Sequence, residues 1–220
     1  GALNGNSIGS NNTANGVNAL ATNTTGERNS AYGRGALVSN STGTYNTASG
    51  AEALANVTTG SNNIGIGYNA QVPDGTLSNQ IRIGDANITY AGAQVAWSVT
   101  SDKRWKENIQ PTNLGLNFIN DLKPVFYTRK NDATKKVEYG IIAQELEASL
   151  VKFGANTNGI ITKDDQGMYS VRYNDLMSPM IKSIQELSTQ NTALKNENTQ
   201  LKSALENLET RLKQVEEKLK

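Results

Sequence analysis

Glycine, asparagine and alanine return at a step of 17 residues over roughly the first 70 residues, and this register limits the fold more than any other feature of the chain. Gly9, Gly26, Gly43 and Gly60 align, as do Asn12, Asn29, Asn46 and Asn63, and then Gly16, Gly33, Gly50 and Gly67. The pairs Ala2-Leu3, Ala19-Leu20, Ala36-Leu37 and Ala53-Leu54 keep the same step, which fades at Ala70-Gln71. A fixed period of this size marks stacked units that bury their apolar face only against their neighbours. Glycines at fixed points mark turns, and the short segments Asn46-Thr47-Ala48-Ser49 and Ile64-Gly65-Ile66-Gly67 read as strands. The expected form is a β-solenoid or β-roll, with Asn and Thr lining the turns. One Leu and a few Ala per repeat are too little apolar surface for a free-standing coil, so three chains are expected to share it.

The C-terminal part has another period. From Met180 the apolar residues run Ile184, Leu187, Leu194, Leu201, Leu205, Leu208, Leu212, Val215 and Leu219, and Asn191 and Asn198 fill the gaps in the 3-4 spacing. With Ile184 at heptad position a, Met180, Leu187, Leu194, Leu201, Leu208 and Val215 fall at d, and the two asparagines take successive a positions. This predicts a parallel coiled coil over 173–220, with Asn174 or Asp175 capping its start and Pro179 in or near the first turn. Buried Asn costs stability and fixes register. The argument for three strands comes from the repeats.

Between these lie a β-rich connector, 72–100, and a small α+β domain, 101–172, which follow the repeat module at 1–71. In the connector, Gln80-Ile81-Arg82-Ile83 and Ala93-Gln-Val-Ala-Trp97 are strand-like. In the domain, Asn113 to Leu122 and Ala143 to Leu150 have helical spacing, while Pro124 to Arg129 and Lys136 to Ile142 alternate like paired strands. Gly159 to Thr162 and Met168 to Arg172 are expected to form a hairpin across Asp164-Asp165-Gln166-Gly167. The fold class is mixed: homotrimeric β-solenoid repeats, a small α+β domain and a coiled coil.

Composition removes several functions. The chain has no Cys and no His, which excludes thiolate metal sites and the His-dependent Ser and Cys triads, so no metal or other cofactor is expected. A formal net charge of +1 gives no electrostatic footprint for nucleic acid. No apolar run approaches the roughly 20 residues that span a bilayer, so no membrane partner is expected. The first residues lie inside a repeat, without the charged and apolar regions of a leader, and a longer protein upstream is expected. Catalysis here must use carboxylates, Lys, Tyr or hydroxyls.

Ser101-Asp-Lys-Arg-Trp-Lys106 stands where the repetitive sequence ends and ordinary globular sequence begins. Ser101 is a candidate nucleophile and Lys106 a candidate base, which a position partly desolvated by Trp105 would favour. Five residues do not align two side chains on one helix face, so Ser101 must precede any helix, in the loop that carries the scissile Thr100-Ser101 bond. Asp102, Arg104 and Asn108 are candidates to orient Lys106 or polarise the Thr100 carbonyl, and Gln144 and Glu145 to supply a hydrogen bond or position water, on the same chain or a neighbour. The same residues also fit a plain helix N-cap with a solvated charged turn.

The repeat resembles the head repeats of trimeric autotransporter adhesins and similar β-rolls in phage tail fibres, through Gly33-Arg-Gly-Ala-Leu37 and Gly60-Ser-Asn-Asn-Ile-Gly-Ile-Gly67. Ser101-Asp-Lys-Arg-Trp-Lys-Glu-Asn-Ile109, followed by Tyr139-Gly-Ile-Ile-Ala-Gln-Glu-Leu-Glu147, resembles the S74 peptidase family, the C-terminal intramolecular chaperone of phage endosialidases, tail fibres and neck appendages. The family pattern at the module start is met by Ser101, Asp102, Arg104, Lys106 and Ile109, and the second by Gly140, Ile142, Ala143, Gln144 and Glu145. The resemblance implies a homotrimeric chaperone that folds the β-rich fibre upstream in the same polypeptide and then cuts just before the serine, with Lys106 as general base. It implies a virion tail fibre or appendage assembled in the host cytoplasm; a bacterial cell surface is the alternative. Some members use a histidine to support cleavage. Here Glu145 or Tyr139 would have to fill that part, or the part is dispensable. A competing reading is a non-catalytic trimeric fibre or adhesin segment with a β-roll head and coiled-coil stalk. A membrane-bound transcription factor carrying this chaperone is disfavoured by the repeat and the lack of a basic domain.

Overall fold

A computed structural model describes residues 1–218, so that Leu219 of the heptad series lies outside the described residues. Two compact units emerge. One comprises 1–100 with 126–138 and 163–169, the other 101–125, 139–162 and 170–220.

In the first unit, strands β1 (Thr13–Asn15), β2 (Ser30–Tyr32), β3 (Thr47–Ser49), β4 (Ile64–Ile66) and β5 (Ile81–Ile83) pair in parallel in sequence order. Each residue pairs with the one 17 later, as in Ala14 with Ala31 and Ala31 with Ala48. The result is a β-solenoid of about four turns. Pairing continues through Ile81–Ile83, beyond the point where the sequence repeat fades. The Ala93 to Trp97 piece forms no strand, and Val95, Trp97 and Val99 are exposed.

The coil buries its own apolar column. Leu20, Leu37 and Leu54 are fully buried within the single chain, together with Ala19, Ala31, Ala36, Ala48, Ala53, Val57 and Val72. Sharing between chains is therefore not what covers these leucines. All three lie in the left-handed backbone region, at φ 51, 52 and 52°. That conformation costs a branched residue on the order of 1–2 kcal/mol, and burying a Leu side chain returns about 2 kcal/mol, so burial offsets the strain.

The asparagines do more than line the turns. Asn23, Asn29, Asn40, Asn46 and Asn63 are fully buried and form two ladders. In one, Asn23 Nδ2 donates to Asn6 Oδ1 and Asn40 Nδ2 to Asn23 Oδ1, each at 2.7 Å. In the other, the backbone N–H of Asn29, Asn46, Asn63 and Gln80 donates to the Oδ1 of the asparagine 17 residues earlier, at 2.9 Å each. Both ladders meet on the turn glycines: Gly26 O accepts from Asn12 and Asn23, and Gly43 O from Asn29 and Asn40. A Cβ at Gly43 would lie 2.2 Å from Gly60 O and 2.4 Å from Asn40 Oδ1, so nothing larger than glycine fits beneath this contact. The first ladder stops where Val57 takes the next rung, which leaves Asn40 Oδ1 buried without a partner.

The second unit is built around α1 (Leu116–Asp121), α2 (Ala143–Lys152) and α3 (Met177–Lys218). Apart from these helices, strands β6 (Pro124–Thr128) and β7 (Val137–Ile141) pair, as do β8 (Ile161–Lys163) and β9 (Tyr169–Val171), as the alternating sequence predicts, and residues 126–138 and 163–169 of these hairpins count with the first unit. Phe118, Leu146, Leu150 and Leu176 are buried, with Phe153 edge-on to Phe118 at 5.7 Å. A 3-10 turn, Tyr173–Leu176, leads into α3, and Pro179 falls in its first turn. The stripe Ile184, Leu187, Leu194, Leu201, Leu205, Leu208, Leu212 and Val215 is exposed along this helix. Among the described residues no helix is long and apolar enough to cross a membrane.

Asn46→Ala removes the donor to Gly60 O and the acceptor for Asn63 N–H, leaving two buried groups unpaired. The expected loss is about 3 kcal/mol in denaturant unfolding, against less than about 0.5 for Thr13→Ala on the exposed face.

Candidate functional site

The segment that opens the second unit folds into a single 3-10 turn, Lys103–Trp105. Ser101 stands before it, Asp102 is its N-cap in extended conformation at ψ 135°, and Lys106 follows it, extended again at ψ 137°. Trp105 N–H donates to Asp102 O and Lys106 N–H to Lys103 O, both at 3.1 Å. The chain reverses over these residues, and the Lys106 Nζ comes to 2.6 Å from Ser101 Oγ. A continuous α-helix would set these side chains on different faces. The tighter turn with an extended residue at each end brings them into hydrogen-bond contact.

Asp102 accepts from both the backbone and the side chain of Arg104. Its Oδ1 caps the backbone N–H of Arg104 at 2.8 Å, and the guanidinium folds back with Nε at 3.1 and 3.2 Å from the two oxygens and Nη2 at 2.7 Å from Oδ2. The Arg104 side chain, and after it the Arg104 backbone N–H, hold the Asp102 carboxyl below its ordinary range, and the pairing raises Arg104 further above its own. Trp105 is 82% exposed and Lys106 is exposed, so in the single chain Trp105 does not desolvate the lysine. Asn108, also exposed, takes a left-handed conformation at φ 51° just beyond the turn.

Gln144 and Glu145 sit in the first turn of α2. Glu145 pairs with Lys123 at 4.0 Å and lines a cleft of about 240 Å³ with Asp121, Ser149 and Lys152. Neither residue bonds to Ser101 or Lys106 in the single chain. Tyr139 is exposed on β7.

Two residues that sequence reasoning passes over shape the unit that carries the dyad. α1 begins at Gly115, which has no side chain to cap it, and Glu186 Oε2 on α3 accepts from Leu116 N–H at 2.7 Å. A Cβ on Gly115 would lie 2.4 Å from the same carboxylate oxygen. Tyr173 OH accepts from Ile141 N–H at 3.0 Å. With the partners 70 and 32 positions apart in sequence, no local pattern announces either bond.

The observations define a class: a parallel β-solenoid followed by a small α+β module and a long helix, with a serine and a lysine in contact where the module starts. A family model for the S74 peptidases, described as a chaperone of endosialidase, matches residues 101–155, about a quarter of the chain. No curated protein and no solved structure matches the chain. The matched segment opens on Ser101 and closes after α2, so it carries Lys106, Gln144 and Glu145, and it links this part of the chain with an intramolecular chaperone role.

Because the folded Asp102 titrates below its unfolded value, its carboxylate supports the turn fully above the ordinary carboxylate range. That support is lost as pH falls through the lowered midpoint. Following the Asp102 carboxyl carbon by NMR in the Ser101→Ala chain should give a midpoint below about 3.9; a midpoint at or above that value would mean the pair with Arg104 does not form in solution.

Proposed function

We propose that residues 101–220 act as an intramolecular chaperone that trimerises and folds a β-rich tail-fibre-type protein. It then releases itself by cutting the Thr100-Ser101 bond with a Ser101-Lys106 dyad. The contact of 2.6 Å between Lys106 Nζ and Ser101 Oγ carries this reading. In the reaction a neutral Lys106 accepts the hydroxyl proton while Ser101 Oγ attacks the Thr100 carbonyl carbon. Collapse of the tetrahedral adduct breaks the C–N bond, and the proton passes from Lys106 to the departing Ser101 nitrogen. The product is an ester between Thr100 and the Ser101 side chain. Water hydrolyses it to a Thr100 carboxylate and a free Ser101 with a new α-amino group. Each chain cuts once, and no cofactor enters.

Physics couples the folding and cutting roles. A coil paired to its neighbour every 17 residues is dominated by non-local contacts, and its first turn is costly to form. Helices that associate through the exposed stripe on α3 would raise the local concentration of the attached chains and set a common register. Asn191 and Asn198, inside that stripe, would hold the register. Release afterwards leaves the fibre kinetically trapped. The proposed partners are two identical chains and the fibre upstream, in a virion tail fibre or appendage.

Incubating the purified chain and measuring mass should show a fragment of residues 101–220, absent from Ser101→Ala and from Lys106→Ala. A wild-type chain that stays whole favours the non-catalytic fibre segment. Leu194→Asp with Leu201→Asp should reduce the assembly from three chains to one in light scattering, because two charges would enter the apolar seam.

A further inference from the structure

On the Ser-Lys reading above, the contact between nucleophile and base depends on a turn that has little else to hold it. We propose that Asp102 and Arg104 are positioning residues for the cleavage: together they brace the 103–105 turn and so keep Lys106 on Ser101. Neither touches a reacting group. Asp102 and Arg104 bond to each other, and the side-chain bond between Lys106 and Ser101 is separate from theirs.

A three-residue 3-10 turn is held by few backbone bonds, here Trp105 N–H to Asp102 O and Lys106 N–H to Lys103 O. None of its residues is buried, so packing does not stabilise it. What remains is the Asp102 carboxylate. It satisfies the Arg104 N–H, a donor at the turn's start that the turn cannot pair, and it clamps the Arg104 guanidinium with both oxygens. The carboxylate thus ties the residue next to Ser101 to the middle of the turn, and the turn's last backbone bond hands Lys106 back toward Ser101. Exposed ion pairs of this kind add little to global stability. A misplacement of about 1 Å between reacting groups can cost on the order of 100-fold in rate. The pair therefore matters more for the dyad than for the fold.

The test is the rate at which the fragment of residues 101–220 appears from the full chain, read by mass, alongside the thermal midpoint. Arg104→Ala should slow cleavage about tenfold or more and Asp102→Ala by more. Asp102→Asn, which keeps an oxygen to cap the Arg104 N–H, should fall between Asp102→Ala and wild type. Arg104→Lys, with the charge but not the fork, should recover part of the Arg104→Ala loss. The thermal midpoint should stay within a few degrees throughout. In a Ser101→Cys background the thiol ionises with less help from a base, so the Arg104→Ala penalty should shrink several-fold.

If Ser101→Ala and Lys106→Ala abolish the fragment while Arg104→Ala and Asp102→Ala cut at the wild-type rate, the dyad stands and the brace is overturned. A Lys106→Ala chain that still cuts removes the dyad and the brace together. An Arg104→Ala penalty that persists undiminished with the thiol, or that tracks a lowered thermal midpoint, means that the residue supports the fold and not Lys106, and this too overturns the proposal. Should Asp102→Ala fail to fold, Arg104→Ala and Asp102→Asn decide the matter.

Discussion

A polar group that leaves water must find a partner, and in this protein the partner usually comes from one coil, one turn or one helix away. In the solenoid the cost of a buried amide is met only if each asparagine finds the next rung and the glycine carbonyl between. Asn29 illustrates the demand: its Nδ2 reaches Gly43 O, its Oδ1 receives Asn46 N–H, and its own N–H reaches Asn12. A coil one residue longer or shorter would break all three bonds. The 17-residue period is thus the spacing at which buried amides are paired, and the leucine column, held in a strained backbone conformation, follows from the same closure.

Capping also shapes the second unit, at one part-buried helix end and at one exposed turn. Glu186 supplies the cap that Gly115 lacks, and Asp102 supplies the cap of the turn at the head of the module. One joins α1 to the long helix. The other sets the distance between a hydroxyl and an amine. The 103–105 turn is exposed, and its geometry comes from two backbone bonds and one carboxylate.

Repeats, strands and helices were legible where local pattern dictates local structure. The alternation in Thr47–Ser49, Ile64–Ile66 and Ile81–Ile83 became strands, and the heptad series became a helix. Ala93 to Trp97 is strand-like in sequence as well but forms no strand, and Val95 and Trp97 remain exposed, so that stretch has no packed face to favour an extended pairing. The asparagines were legible as turn residues. Their burial was not, because the same residue type serves an exposed turn and an interior ladder. At the site, Ser101 and Lys106 were legible from the boundary and the spacing, whereas the burial expected from Trp105 did not materialise, because in the single chain that side chain points to solvent.

By itself the sequence determined the period of the coil, the apolar stripe of the long helix and the placing of a serine five residues before a lysine at the head of the second unit, because each of these is a matter of residue type at fixed spacing. Only the tertiary structure decided which asparagines turn inward, that leucine takes a left-handed conformation, that Glu186 caps α1, and that Lys106 meets Ser101 across a turn braced by Asp102 and Arg104. Those outcomes depend on chain closure in space, where backbone direction over a few residues decides which groups meet, and spacing along the chain does not encode that direction.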